Sequence, residues 1–237
     1  MNKMINKICV IIPTRERLNK FRIFASTWKK TTEGKSVVVV GIDNDDHTYD
    51  ELRKNKYPEF IWEQKESKPC LSILNDLAVK YAKKYKYILF MEDDTNFNTL
   101  WESRIIEKLE ELGDNGIVWC NDLRVKEKLI SLPIMNSSII NRLGYMLPPE
   151  FKAQCPDLYW TDLGNNLKTM YYFPDIITEH RHYSTGKTFK DETAIKIQKE
   201  AINDATYYHS PAYLVRLSND VKMLLNDQNY KVKKYSS

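Results

Sequence analysis

Apolar positions in the first half of the chain fall into short continuous runs, separated by stretches with helical spacing. Ile8 to Ile12 is one such run and ends at Pro13; Thr14-Arg15-Glu16-Arg17 follows, then an amphipathic stretch from about Leu18 to Lys30. A strand buried on both faces loses the alternation of a half-exposed one, so this order predicts strand, polar turn and helix, the opening of a βαβ unit. Val37 to Val40 repeats the pattern and ends in Gly41-Ile42-Asp43-Asn44-Asp45-Asp46. Phe60-Ile61-Trp62 fits a short edge strand, and Leu71 to Tyr85 carries Leu71, Leu74, Leu77, Ala78 and Tyr81 at helical spacing. Tyr87 to Met91 is a further buried strand. A helix from about Leu100 to Leu112 presents Ile105, Ile106, Leu109 and Leu112 on one face and stops at Gly113, and Gly116 to Cys120 is again a strand.

The second half departs from this rhythm. Leu129 to Ile134 reads as extended, Ser137 to Leu143 as helical, and Leu147 to Pro156 as a proline-rich loop. Asp157 to Leu167 predicts a short helix, and Met170 to Thr178 a strand broken by Pro174. A polar stretch from Arg181 to Asp191 leads into two helices, Glu192 to Tyr207 and Ala212 to Leu225. Strand alternating with helix predicts an α/β fold, a sheet flanked by helices, here with a C-terminal helical extension.

Composition narrows the class. At 237 residues the chain fits one moderately large domain. With 42% hydrophobic and 29% charged residues it is neither disordered nor a disulfide scaffold. The net charge of +4 is mild, but Lys80, Lys83, Lys84 and Lys86 cluster, as do Lys231, Lys233 and Lys234. Such clusters read as solvated faces or as contacts to phosphates. Cys9, Cys70, Cys120 and Cys155 lie far apart without zinc-ligand spacing. No secretory leader and no apolar run approaching about 18 residues stands out, so the expectation is a cytoplasmic protein with no transmembrane segment.

The strand Tyr87 to Met91 runs straight into Glu92-Asp93-Asp94. In α/β sheets ligands sit beyond the carboxyl ends of the strands. Three crowded acids repel one another unless a positive partner compensates, and a divalent cation with oxygen ligands is the usual one. An acidic turn or helix cap explains the same residues. Asp43, Asp45 and Asp46 likewise read as a second strand-end site or as an Asx-rich turn. His180 and His182 flank Arg181, and in an extended segment both imidazoles point to one side. Ser184-Thr185-Gly186-Lys187 lacks the spacing of a phosphate-binding P-loop and reads better as a lid. Asn121-Asp122, at another strand end, fits a sugar or acceptor contact or a plain turn.

The order of Ile11-Ile12-Pro13-Thr14-Arg15, Val38-Val39-Val40-Gly41-Ile42-Asp43, a helix bearing Asn75, and Leu89-Phe90-Met91-Glu92-Asp93-Asp94 resembles the N-terminal half of family 2-like GT-A glycosyltransferases. The last segment looks like that family's DxD motif with Glu in first position. Trp160-Thr161-Asp162-Leu163-Gly164 is similar to the segment supplying the catalytic base, and Ile176-Ile177-Thr178-Glu179-His180 to the late strand whose histidine joins the metal. The matches span about residues 7 to 190, and the overall look is closest to small phage and bacterial members.

The resemblance implies a GT-A, Rossmann-like mixed sheet over 1–190, with a nucleotide-binding half (about 1–122) and an acceptor half (about 123–190), and helices 191–237 packed on the same domain. It implies a metal-dependent transferase that moves a sugar from a nucleotide-sugar donor, a UDP-sugar first, to an acceptor hydroxyl in DNA, glycan or protein. Hydroxymethylated pyrimidines are one such acceptor. Asp162 would be the base, and a single base without an enzyme nucleophile predicts inversion. Asp94, His180 and His182 would be the candidate ligands of Mn2+ or Mg2+. Pro13, Thr14, Arg15, Asp43, Asp45, Asn75, Glu92, Asp93, Arg181 and Lys187 would meet the donor. A sugar nucleotidyltransferase and a non-catalytic nucleotide-sugar or nucleic-acid binding module are the alternatives. The first usually carries a glycine-rich loop after its first strand, and Pro13 to Arg17 has no glycine.

Overall fold

The computed structural model describes residues 7–57, 59–183, 186–187, 189 and 191–235. Its eight strands are β1 (Ile8–Thr14), β2 (Ser36–Asp43), β3 (Ile61–Lys65), β4 (Tyr87–Phe90), β5 (Thr95–Phe97), β6 (Ile117–Asn121), β7 (Ile134–Asn136) and β8 (Met170–His180). They form one sheet in the order β3-β2-β1-β4-β7-β6-β8-β5. The helices are α1 (Leu18–Thr31), α2 (Cys70–Ala82), α3 (Glu102–Leu112), α4 (Ser137–Leu143), α5 (Pro156–Leu167), α6 (Glu192–Tyr208) and α7 (Pro211–Leu225).

β1 to β4 are mutually parallel, so β1, β2 and β4 end at one edge of the sheet. β7 runs antiparallel to both β4 and β6, and β6 is parallel to β8. Two reversals restore the direction, and β6 and β8 therefore end at the same edge as β4. β8 is continuous through Pro174, contrary to the expected break. Its register against β6 jumps from Cys120↔Phe173 to Asn121↔Ile177, so the proline sits in a bulge, where it need not donate to the ladder. Asn121 Nδ2 donates to the Pro174 carbonyl there at 3.0 Å. Leu129 to Pro133 is not strand; only Ile134 of that expected segment is.

Local chemistry explains how the central strands tolerate their special residues. Pro13 lies in β1, between two neighbours. Ile11 directs its carbonyl at the Met91 N–H (3.0 Å), so Pro13, two residues on, turns its missing N–H to the side where β4 has already ended. Gly41 lets α2 lie directly on β2: a Cβ there would fall 2.8 Å from Leu77 Cδ1 and 2.9 Å from Ile73 Cγ2. α1 buries Phe21, Phe24, Ala25 and Trp28 on the sheet.

The C-terminal helices are tied in by buried carboxylates. Asp204 of α6 accepts from the backbone N–H groups of Lys152, Ala153 and Gln154 at 2.7–3.1 Å. Asp220 of α7 accepts from the hydroxyls of Tyr145 (2.5 Å) and Tyr159 (2.9 Å). Tyr208, Tyr213, Leu217, Val221 and Leu224 join the core. Among the described residues no helix is long and apolar enough to cross a membrane.

Candidate active site

The strand ends bring the predicted acids together. β4 delivers Glu92, Asp93 and Asp94, and β8 delivers His180, its last residue. The three-residue β5 aligns them. Its antiparallel register pairs Thr95 with His180, and the Arg181 N–H donates to the Asp94 carbonyl at 2.9 Å. His180 Nε2 lies 3.1 Å from Glu92 Oε2 and 3.3 Å from Asp94 Oδ1. One ligand atom from each of Glu92, Asp94 and His180 falls within 4.8 Å of the others.

These contacts are close without being directed hydrogen bonds. Asp94 Oδ1 and both His180 nitrogens are buried with no hydrogen-bond partner among the described residues. Orphaned buried polar atoms are costly unless something satisfies them. Two carboxylate oxygens and an imidazole nitrogen make a donor set suited to a divalent cation, so the residues fit one. Burial pushes the His180 pKa down, but the charges of Glu92 and Asp94 outweigh it and lift it to about 10. Burial likewise disfavours the Asp94 carboxylate, yet His180, Arg17 and Lys20 hold its pKa below the usual range.

Asp93 turns the other way. Its Oδ2 accepts from Thr14 Oγ1 (2.6 Å) and its Oδ1 from Arg17 (3.1 Å), and it is only 3% exposed. Burial raises its pKa to about 6 against the pull of Arg17. Glu92 and not Asp93 therefore accompanies Asp94. Arg17 and Lys20 share Asp191, at 2.9 and 2.8 Å. An open pocket beside Asp94 is lined by Asn19, Lys20, Ile23, Asn96 and Arg181.

At the ends of β1 and β2, Arg15 bonds Asp43 (2.5 Å) and Asp45 (2.8 and 3.1 Å), and Thr14 Oγ1 lies 2.7 Å from the Tyr49 hydroxyl. The other Asp43 oxygen, Oδ1, is buried without a partner. Pro13 contributes through the backbone of β1. Cys70, at the start of α2, lies within electrostatic reach of Glu92, Asp93 and Asp43, and burial, reinforced by those acids, raises its thiol to about 12.

Four expected site residues are placed elsewhere. Asp162 is fully buried in α5, its carboxylate accepting from the hydroxyls of Tyr208 (3.2 Å) and Tyr213 (2.8 Å) and from the Tyr235 N–H (2.6 Å). An acid so engaged cannot reach an acceptor, and it serves instead to anchor the C-terminal segment. Asn75 spends its amide on the Met146–Leu147 backbone, donating to the Leu147 carbonyl at 2.9 Å and accepting from both N–H groups. Lys187 pairs with Glu179 at 2.6 Å, one residue before His180 on β8 and so on the opposite face of the strand. His182 lies past the end of β8 with its ring 5.3 Å from that of His180 and 4.0 Å from that of Tyr183, outside the cluster. Of the expected lid, Ser184 and Thr185 lie outside the described residues.

Another acid of α5, Asp157 near its start, lies within electrostatic reach of Glu92. Burial raises its pKa, Glu92 adds to the rise and Arg124 opposes it. Its Oδ1 accepts from the Leu158 N–H at 3.0 Å. The signal for it was available in Pro156-Asp157: a proline at a helix start followed by an acid. The lysine clusters are partly offset, Lys80 by Glu63 and Lys86 by Glu110, while Lys234 lies 3.6 Å from the Tyr208 ring centroid.

No protein-family model and no curated protein sequence matches the chain. Solved structures do. TarS of S. aureus aligns with a TM-score of 0.57 and 14% identity over 93% of this chain, which spans 43% of TarS. A TarS 1–349 complex with UDP aligns at 0.58 and 14% identity, over 93% of this chain and 71% of that one. The mannosyltransferase PcManGT of Pyrobaculum calidifontis, in complex with GDP-Man and Mn2+, aligns at 0.54 and 16% identity over 93% of this chain and 74% of its own. At such identities the likeness speaks for architecture, and with the mixed sheet and shared strand-end edge it establishes that this chain has the GT-A fold.

Proposed function

We propose that the protein is a metal-dependent glycosyltransferase moving a sugar from a nucleotide-sugar donor to an acceptor hydroxyl, with inversion at the anomeric carbon. The carrying observation is the Glu92, Asp94 and His180 cluster, whose Asp94 Oδ1 and His180 nitrogens are buried without hydrogen-bond partners. These residues would hold Mn2+ or Mg2+, which when bound neutralises charge developing on the leaving diphosphate. Thr14 and Arg17 grip Asp93 and so fix the turn from which Glu92 and Asp94 project. Asp43 keeps one buried oxygen for a ribose or base donor, with Arg15 holding the other. Arg181, beside Asp94, is the cation at hand for the donor's phosphates, while Arg15 is held by Asp43 and Asp45.

Asp157 is the base in this reading, replacing Asp162. Burial raises its pKa above the ordinary carboxylate value, which strengthens it as a proton acceptor. It takes the acceptor hydroxyl's proton as that oxygen bonds to the anomeric carbon; the bond from that carbon to the diphosphate breaks on the opposite face, and the nucleoside diphosphate leaves with the electron pair. A UDP-sugar is the first donor to test, supported by the TarS complexes with UDP and UDP-GlcNAc. The test is to incubate the protein with UDP-GlcNAc, UDP-glucose or GDP-mannose and Mn2+, and assay nucleoside diphosphate. Release that requires Mn2+ and is lost in Asp157→Asn is expected. Pyrophosphate formation from a sugar phosphate and a nucleoside triphosphate would point to nucleotidyl transfer instead.

A further inference from the structure

The carboxyl end of β6 carries a second charged feature at the same edge of the sheet. Asp122, fully buried, accepts the backbone N–H groups of Arg124 (2.9 Å), Val125 (2.9 Å) and Lys126 (2.8 Å) through one oxygen and the Ser131 hydroxyl (3.1 Å) through the other. Its carbonyl accepts from the His180 N–H at 3.0 Å, which fastens this loop to the cluster strand. Leu123 and Lys126 adopt left-handed φ angles of 59° and 54°, and the Trp119 indole donates to the Lys126 carbonyl at 3.0 Å. The loop is thus pinned at both ends. Asp122 thereby fixes the turn that carries Arg124.

Arg124 stands on this loop, exposed, and among the described residues its guanidinium makes no ion pair or hydrogen bond. It lies within electrostatic reach of both Asp157 and His182. The nucleotide-side arginines differ: Arg15 and Arg17 are already engaged by aspartates. Arg124 stands past the end of β6, which β1, β4 and β7 separate from β2 and its Asp43, and within electrostatic reach of the proposed base.

We propose that Arg124 reads an anionic group on the acceptor, a phosphate or carboxylate placed near the hydroxyl that receives the sugar. The proposal rests on the glycosyltransferase reading for the identity of the neighbouring base. A guanidinium on a rigid loop offers a two-pronged donor to such an oxyanion at little ordering cost, and charge-assisted bonds of this kind are the strong ones. The bound anion also sets the register of the acceptor so that its hydroxyl faces Asp157.

Two measurements on the full chain test this. In the first, glycerol 3-phosphate, glycerate and glycerol are titrated by calorimetry into protein saturated with UDP and Mn2+. Wild type is expected to bind one or both anions at least about ten-fold more tightly than glycerol, and Arg124→Ala to lose that preference, while Arg124→Lys keeps part of it. In the second, the same compounds serve as acceptors and nucleoside diphosphate release is followed. The acceptor-efficiency ratio of the preferred anion to glycerol should fall about ten- to hundred-fold in Arg124→Ala. Equal binding of all three compounds by wild type, or an anion preference unchanged in Arg124→Ala, overturns the proposal whatever the turnover shows. Loss of diphosphate release with every donor, while the Arg124-dependent anion preference persists, would instead overturn the glycosyl-transfer reading.

Discussion

Exchanging the roles of two acids in one helix gives a crossed prediction for Asp162 and Asp157. In Asp162→Ala, the hydroxyls of Tyr208 and Tyr213 lose their acceptor where they are 1% and 0% exposed, whereas the Tyr235 N–H belongs to an exposed residue that water can reach. Two buried hydroxyls at about 1–3 kcal/mol each, with a small cavity added, amount to about 3–5 kcal/mol. For a chain of this length that is a fall in Tm on the order of 10 °C. Asp162→Asn keeps the volume and one acceptor oxygen and should cost about 1–2 kcal/mol. Asp157→Asn should leave stability within about 1 kcal/mol of wild type and reduce turnover roughly 10²- to 10⁴-fold. Thermal and urea unfolding followed by circular dichroism, with turnover normalised to folded protein, reads both effects. If Asp162→Asn melts like wild type yet is inactive, while Asp157→Asn remains active, the reassignment of the base is refuted.

Gly41→Ala should destabilise by about 1–3 kcal/mol, because Leu77 and Ile73 leave no room for a Cβ, and urea unfolding should show the shift. Asp220 gives a pH signature. Burial raises its folded pKa above the ordinary carboxylate value, so its contribution to stability is greatest at acid pH and declines as pH rises through that raised value. Asp220→Asn should flatten this component of the stability profile as pH rises above the ordinary carboxylate range; an unchanged slope would discount it.

β1, β2 and β4 were legible in the sequence because they are central and parallel and buried on both faces, with β2 and β4 running into acids. β5 was not. Thr95-Asn96-Phe97 has no apolar run, and it becomes a strand only by pairing with β8. Yet that pairing brings His180 to Asp94. The two acids of α5 defeated sequence reading for a related reason. Five residues apart, they point about 140° from each other around a helix, and α5 is buried along most of its length from Tyr159 to Leu167, so no polar face marks which acid meets the site. The histidine pair failed at a boundary: period-two geometry requires a strand, and β8 stops at His180. Asn75 was misread because its partner is the backbone of a loop more than seventy residues later, a contact no local pattern encodes.

The central claim is that Glu92, Asp94 and His180 form a cation site serving a nucleotide. Isothermal calorimetry of UDP and of GDP, each with and without Mn2+, on wild type and on Glu92→Gln, Asp94→Asn and His180→Ala tests it most directly. The account predicts nucleotide diphosphate binding that strengthens with Mn2+ in wild type, with that gain reduced on the order of 100-fold in each variant at unchanged melting cooperativity. Binding that is indifferent to Mn2+, or a Mn2+ gain that survives in Asp94→Asn and His180→Ala, would contradict it.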